Sequence, residues 1–582
     1  MMMSNEDEID FILTGDCSDS AGLLQDPQLQ YGSDEIELQN TPTDYQELQL
    51  PPKSQRITSY VIGASFMAAL GGVLFGYDVG IISGALLQLK VAFSLNCFQR
   101  EMVVSSMLIG AVVSSIFGGF IIDYWGRRRT IILNSIVFII GAIILVISPS
   151  FLSLVVGRFI LGLAVSLSAI GECIYISEIA PANKRGLLVT FNELGITVGL
   201  LLAYVVNYGF INKTDGWKYM FGLSMIPAVV QGIGMFFLPS SPRFLLLQKK
   251  DQEAEVVLQK LRGESDVSAE LKTMKLGITI EQNHGVCDLF SSTDNMRGRM
   301  FIGAGLVFLA QFSGQPNVLY YAPTIYQSLG FESNLAATLA TVGLGIVKFI
   351  ATVVSLSLFD KAGRRKFLLS GSTLMALSIF ILGIVTFTLQ QVEDVSVICH
   401  DGVTMIPVNR TIGSNISLEE SAPVLEPHQD QMQSVISKWI SFIALLVFVA
   451  GYAFSFGPGV WLILSEIFPS TIKGRAISLV TIFNWGTNLI ISLTFLHVMN
   501  GLGVSVTFLL YSMICAIAVV FIFLLVPETK NRTLEQISAD LNKGSLLERL
   551  MQYRCWCLKQ HNIRVEHNYQ PVINDPLSSH VL

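Results

Sequence analysis

Charge is what this sequence has least of. Asp, Glu, Lys and Arg make up 14% of its 582 residues, where a soluble protein of ordinary composition carries about a quarter. Residues 301–331, 439–465, 476–496 and 498–527 hold no charged residue at all. Each stretch is long enough for a helix to cross a hydrocarbon core of about 30 Å, which takes roughly 20 residues. Buried helices of soluble proteins seldom run so long or recur so often, so a soluble globule is excluded. Histidine, with seven residues, and cysteine, with eight, are scarce and form no metal-ligand cluster. There is no nucleotide-binding loop and no triad that the topology could assemble. These absences point away from an enzyme, from a cofactor and from a nucleic-acid partner. Residues 1–56 lack a basic start and an apolar core, so no cleaved signal peptide is expected and the first helix acts as its own insertion signal.

What is present reads as an all-α membrane protein. Twelve spans are expected, at 58–82, 102–122, 130–149, 152–177, 187–208, 218–238, 301–325, 335–359, 366–389, 439–465, 476–496 and 503–526. Thirteen basic residues fall in one set of loops, Arg127, Arg128, Lys184, Arg364 and Lys473 among them, against six in the other set. The richer set belongs in the cytosol, and an even number of spans brings both termini there. The net charge of −7 is misleading, because residues 1–56 alone carry twelve acids and two bases.

The chain repeats itself. Asp123-Tyr-Trp-Gly-Arg-Arg128 recurs as Asp360-Lys-Ala-Gly-Arg-Arg365, an offset of 237. Ser177-Glu-Ile-Ala-Pro181 recurs as Ser465-Glu-Ile-Phe-Pro469, and Pro239-Ser-Ser-Pro242 faces Pro527-Glu-Thr-Lys530, both at 288. The growth in offset locates an insertion at the polar stretch 390–437, which the topology places outside. Parallel six-helix halves with a site between them is a transporter plan. The expected organisation is an acidic cytosolic tail at 1–56, a six-helix half at 57–239 and cytosolic linker helices at 240–300. A second half at 301–527, containing the 390–437 loop, and a cytosolic tail at 528–582 complete it.

Two sequons in that loop, at Asn409 and Asn415, suit glycosylation. Asn212 lies too near the membrane, and Asn531 is on the cytosolic side. Leu23 and Leu24 have the acidic dileucine spacing that sorting adaptors read. Of the eight cysteines only Cys97 and Cys399 lie outside, which allows a disulfide between them. Cys555 and Cys557 are candidates for palmitoylation.

These motifs, with Gly157-Arg-Phe-Ile-Leu-Gly162, Pro239-Ser-Ser-Pro-Arg-Phe-Leu245 and Phe483-Asn-Trp-Gly-Thr-Asn488, resemble the sugar-porter family over about residues 58–535. The long loop with sequons resembles the third class of facilitative glucose transporters. The resemblance implies the major facilitator fold, with 12 transmembrane helices in two six-helix halves, and transport of a glucose-like hexose, passive or proton-coupled. Urate, inositol or dehydroascorbate transport, and a non-transporting nutrient receptor, stay open as alternatives. The resident membrane is the plasma membrane, intracellular vesicles or both.

A sugar offers hydroxyls and a weakly apolar ring face, so its site needs groups that donate and accept hydrogen bonds, plus an aromatic platform. By resemblance Gln311, Asn317, Trp461, Asn484 and Asn488 bind sugar, and Phe75 and Ile196 line the site. Tyr320 and Tyr321 match a gate. In this sequence Ser313-Gly-Gln-Pro-Asn317 displaces the family's amide by one residue, about 100° on a helix, and Pro316 can compensate by breaking it. Glu193 and Lys348 stand where relatives carry a sugar-binding Gln and Asn, which suggests an ion pair across the cavity that forms when the halves close on substrate and breaks when they open. Asp78, with Arg158, matches the pattern of proton-coupled symporters. Glu178 with Arg185, and Glu466 with Lys473, are expected to close the inner face together with the Asp-x-x-Gly-Arg-Arg loops. Glu172, also inside a span, has no counterpart in the family.

Overall fold

The computed structural model describes residues 58–181, 184–282, 287–291, 295–331, 333–390, 428–469, 472–530, 537 and 541. Leu23, Leu24, Cys399, Asn409, Asn415, Cys555 and Cys557 lie outside them. Cys97 is disulfide-bonded.

Helices start where the sequence offers a cap. The first, α1 (Ser59–Ala92), begins at Thr58, whose side chain accepts from the Val61 N–H. Asn96 and Gln99 form a reciprocal capping box on α2 (Cys97–Trp125), and Ser150 and Ser153 do so on α4 (Phe151–Ile179). Between α2 and α3 (Arg127–Val146) a single residue, Gly126, turns the chain with φ +85°. The same position of the repeated motif, Gly363 (φ +98°), separates α14 (Asn334–Ala362) from α15 (Arg364–Gln390). A Cβ at Gly126 would stand 2.5 Å from the Phe244 ring, so glycine is required there on both counts.

The remaining helices are α5 (Arg185–Phe210), α6 (Gly216–Gly222) and α7 (Met225–Phe236), then α8 (Pro242–Leu247), α9 (Asp251–Arg262) and α10 (Ser268–Gln282) in the linker. They continue as α11 (Met296–Phe312), α12 (Gln315–Tyr320), α13 (Ala322–Ser328), α16 (His428–Phe454), α17 (Phe456–Ile467), α18 (Lys473–Leu502) and α19 (Val504–Leu525). Eleven helices among the described residues are long and apolar enough to cross a membrane, one fewer than expected. The difference is the seventh span. In place of one helix over 301–325, the chain makes α11, α12 and α13. Gly314, at φ +85°, breaks it once, and Pro316 and Pro323 begin the next two pieces. Proline supplies no N–H and pre-sets the φ of a first turn, so each piece starts afresh. The first span runs ten residues past its expected end, because Gly84 there lies flat against Asn207 of α5.

Close approach of α1 and α5 rests on a glycine stripe. Gly72, Gly76, Gly80 and Gly84, every fourth residue of α1, face Asn192, Ile196, Ala203 and Asn207 of α5. Small residues at this spacing let membrane helices pack backbone to backbone. The two sets of six spans are built alike: α2 packs on α4 as α14 does on α16, and α3 on α7 as α15 does on α19. They meet through α2 on α18, α5 on α14, and α1 on α12 and α13.

Candidate functional site

The broken seventh span brings its amides to α18. The side-chain N–H of Gln311 donates to Asn484 Oδ1 at 2.6 Å, and Asn317 donates to Ile491 O and to the Tyr511 hydroxyl, both at 3.1 Å. Asn488 donates to the Tyr320 hydroxyl at 3.4 Å. Gln311, Asn317, Asn484, Asn488 and Tyr320 are all buried. Several polar atoms here have no hydrogen-bond partner: Gln311 Oε1, Asn317 Oδ1, Asn488 Oδ1, Gln315 Nε2 and Trp485 Nε1. A buried polar atom without a partner is costly, by about 1–3 kcal/mol. Acceptors and donors mixed in one neutral cluster suit a ligand whose every group does both, which is a polyol.

Phe75 of α1 packs edge-on against Trp485, with ring centroids 5.6 Å apart, and so faces this cluster from the first six spans. Ile196 lies where α5 crosses Gly76, its carbonyl 1.8 Å from where a Cβ would be. Trp461, on α17, is 39% exposed. Trp485, which sequence reasoning did not single out, is the indole at the site. Its only signal was its place between Asn484 and Asn488.

Glu193 and Lys348 are not an ion pair here, since no oxygen of one lies within 4.0 Å of the other's ammonium. They sit on the adjoining helices α5 and α14 and feel each other's charge across that gap. Asp78 and Arg158 do pair, at 3.3 Å, with both side chains buried. Arg158 also donates to Val103 O. Asp78 Oδ2 and Arg158 Nη2 keep no partner, so the pair has capacity for further bonds.

At the end of the bundle that carries the repeated loops, the acids pair with the arginines of those loops. Glu178 Oε1 lies 3.1 Å from Arg127, and its Oε2 accepts from Ser241 at 2.5 Å. Glu466 Oε1 lies 3.3 Å from Arg364. Arg185 is exposed and Lys473 half-buried, and neither is the partner of its motif's acid. Arg128 reaches the carbonyl of Met235, and Arg365 that of Phe523. Residues offset by 237 thus bond residues offset by 288, so the repeat is written in contacts as well as in sequence.

Every hydrogen bond among the described residues that joins the first six spans to the last six lies toward the opposite end. Ser105 donates to Ser492 at 3.2 Å, and the Tyr204 hydroxyl donates to Leu319 O at 3.1 Å. Buried Glu101 takes the His497 backbone N–H at 3.0 Å and also its ring Nδ1. Tyr320 and Tyr321 are buried beside this seam. Glu101 and His497 stand 396 residues apart, so no sequence pattern could have joined them.

The sequence pattern of the sugar (and other) transporter family matches residues 64–406 and 428–541. Facilitated glucose transporter member 12 of solute carrier family 2 from Homo sapiens is 41% identical over 540 residues, covering 85% of this chain and 87% of its own length. Member 10 from Xenopus laevis is 40% identical, covering 85% and 95%. The partially occluded inward-open conformation of the xylose transporter XylE from E. coli matches with TM-score 0.65 at 28% identity, covering 82% of this chain and 100% of that one. The proton:xylose symporter XylE bound to 6-bromo-6-deoxy-D-glucose matches with TM-score 0.66 at 27% identity, covering 84% and 100%.

Proposed function

The chain belongs to the sugar (and other) transporter family, and on that footing we propose that it carries a hexose across a membrane by alternating access. The reading rests above all on the cluster of partnerless amide and indole atoms between α11–α12 and α18. Gln311, Asn317, Asn484 and Asn488 hold the hydroxyls, and Phe75 and Trp485 offer the ring face. Ile196 shapes the wall. Glu193 and Lys348 bind hydroxyls from α5 and α14, where separate charges make stronger hydrogen bonds than neutral amides. Trp461, on α17, offers the sugar a further aromatic face.

The halves are residues 57–239 and 301–527, joined by the linker helices at 240–300. The arginine-rich end faces the cytosol, with both termini, and the Glu101–His497 end faces outward. Tyr320 and Tyr321 gate the outer side. The pairs of Glu178 and Glu466 brace the inner face, with Arg185 and Lys473 at its rim. Glycans on Asn409 and Asn415 and adaptor binding through Leu23 and Leu24 fit a protein that cycles between vesicles and the plasma membrane.

Transport is coupled to protons through Asp78. A carboxylate in the bilayer persists only while its cation is at hand. When motion of α4 draws Arg158 away, Asp78 takes a proton, and it releases that proton when the arginine returns. The test is uptake of labelled 2-deoxyglucose by proteoliposomes of the purified protein, with and without an inward proton gradient. Saturable uptake that the gradient accelerates, and that Asp78→Asn makes indifferent to the gradient, is the expected result. Saturable uptake indifferent to the gradient in the wild type removes the coupling and keeps the carrier. Absence of saturable uptake overturns the hexose reading.

A further inference from the structure

Glu172 lies inside α4 with no exposed surface, and the transport scheme gives it no task. Its surroundings are unlike those of the other buried acids of the first six spans. Asp78 has Arg158, Glu101 has His497 and Glu178 has Arg127. Glu172 has only neutral partners, the hydroxyl of Ser168 one turn away and the side-chain amide of Gln231 on α7, 2.8 Å from Oε1. No cation lies within ion-pair distance of it among the described residues.

The neighbouring elements supply no countercharge either. From α1 the carboxyl meets Gly71, where a Cβ would fall 1.5 Å from Oε1. From α7 it meets Gln231, whose amide also donates to Ala68 O at 3.1 Å and whose carbonyl accepts from Ser135 of α3 at 3.3 Å. From α5, Asn192 lies against Gly72, the next residue of α1, and Glu193, itself an acid, acts on neighbouring Cys173 as Glu172 does. On α4 the next residue is Cys173, which accepts from Asn192 at 3.4 Å.

A count of donors and acceptors leaves this pocket one hydrogen short. Glu172 Oε2 is a buried acceptor without a donor. Gln231 can only donate to the carboxyl. The Ser168 hydroxyl can donate or accept. A charge here, inside the bilayer, would have no countercharge to offset it. The missing hydrogen and the missing positive charge are the same thing, a proton on the carboxyl.

We propose that Glu172 is a proton-binding site of the first six spans, separate from Asp78, which carries its proton as a neutral acid while α1, α4 and α7 are packed around Gly71 as seen here. A proton on Oε2 neutralises the carboxyl while Ser168 and Gln231 both donate to Oε1, and Gln231 ties α1, α3 and α4 together. Losing the proton puts a bare carboxylate against the α1 backbone and loosens this packing. The proton-bound state is therefore present at low pH and lost as pH rises. The inference does not depend on which solute is carried.

The test uses the full-length protein in proteoliposomes. Infrared spectra across a pH titration should show a protonated-carboxyl C=O band in the wild type. Glu172→Gln should remove it and Asp78→Asn should leave it in place. Glu172→Gln keeps the shape of the neutral acid, so its uptake should match wild type at low pH and persist at alkaline pH where wild-type uptake falls. Ser168→Ala, which takes away the hydroxyl partner, should shift the same band, and it serves as the second variant should Glu172→Gln fail to fold. A carboxyl spectrum identical in wild type and Glu172→Gln, or an identical alkaline limb of uptake, overturns the proposal.

Discussion

At the scale of single residues, the site is a set of buried amides that hold one another incompletely. Gln311 and Asn484 share a bond and each keeps room for another, as does Asn488 beside Tyr320. One hydrogen bond contributes a net of about 0.5–1.5 kcal/mol. Asn488→Ala should therefore raise the half-saturating hexose concentration by about 2- to 10-fold while leaving protein yield and melting temperature near wild type. Unchanged half-saturation would remove Asn488 from the sugar. These residues were legible because amides and charges stand out in apolar spans. What sequence could not give was distance. Glu193 and Lys348 interact across α5 and α14 without an ion pair in this state, and a pair formed only on closure is not something a sequence can time. Trp485, which meets Phe75, had no signal in the sequence beyond its place between two amides.

At the scale of elements, glycine decides what can approach what. The α1 stripe was present in the sequence, but its partner helix became visible only with the fold. Gly76→Ala would drive a Cβ to within 1.8 Å of the Ile196 carbonyl, and neither backbone can step aside alone. Overpacking of this kind costs about 1–3 kcal/mol, and here a contact with backbone puts it at the upper end. The expected outcome is a lower melting temperature in detergent and weak uptake. Gly63→Ala, where nothing lies within 4 Å, should be silent in the same assay. The seventh span was legible as apolar length but not as three pieces. Pro316 signalled one break, whereas Gly314 and Pro323 read as ordinary residues of an apolar run. Those breaks turn backbone and amides inward, and non-helical backbone at membrane depth is tolerated only where it lines protein or a cavity.

At the scale of the molecule, two like bundles meet along one seam. The matched pairs Arg127–Glu178 and Arg364–Glu466 predict matched consequences. Arg127→Gln and Arg364→Gln should each loosen the arginine-rich end. Cysteine probes introduced there should be labelled faster in both variants, and a change in only one would contradict an equivalent role for the two repeats. The repeat and the helical fold were readable from the spacing of three motifs. The seam was not, because Ser105–Ser492 and Glu101–His497 join residues from opposite ends of the chain.

Alternating access requires that seam to open. Ser105 and Ser492, 3.2 Å apart, can be replaced together by cysteine and cross-linked by a mild oxidant in proteoliposomes, with the wild type treated in parallel. Hexose uptake that stops on oxidation and returns on reduction, only in the double variant, is the predicted result. Uptake that continues with the cross-link complete would contradict the account, because the sugar would then be crossing without the two bundles parting at this end.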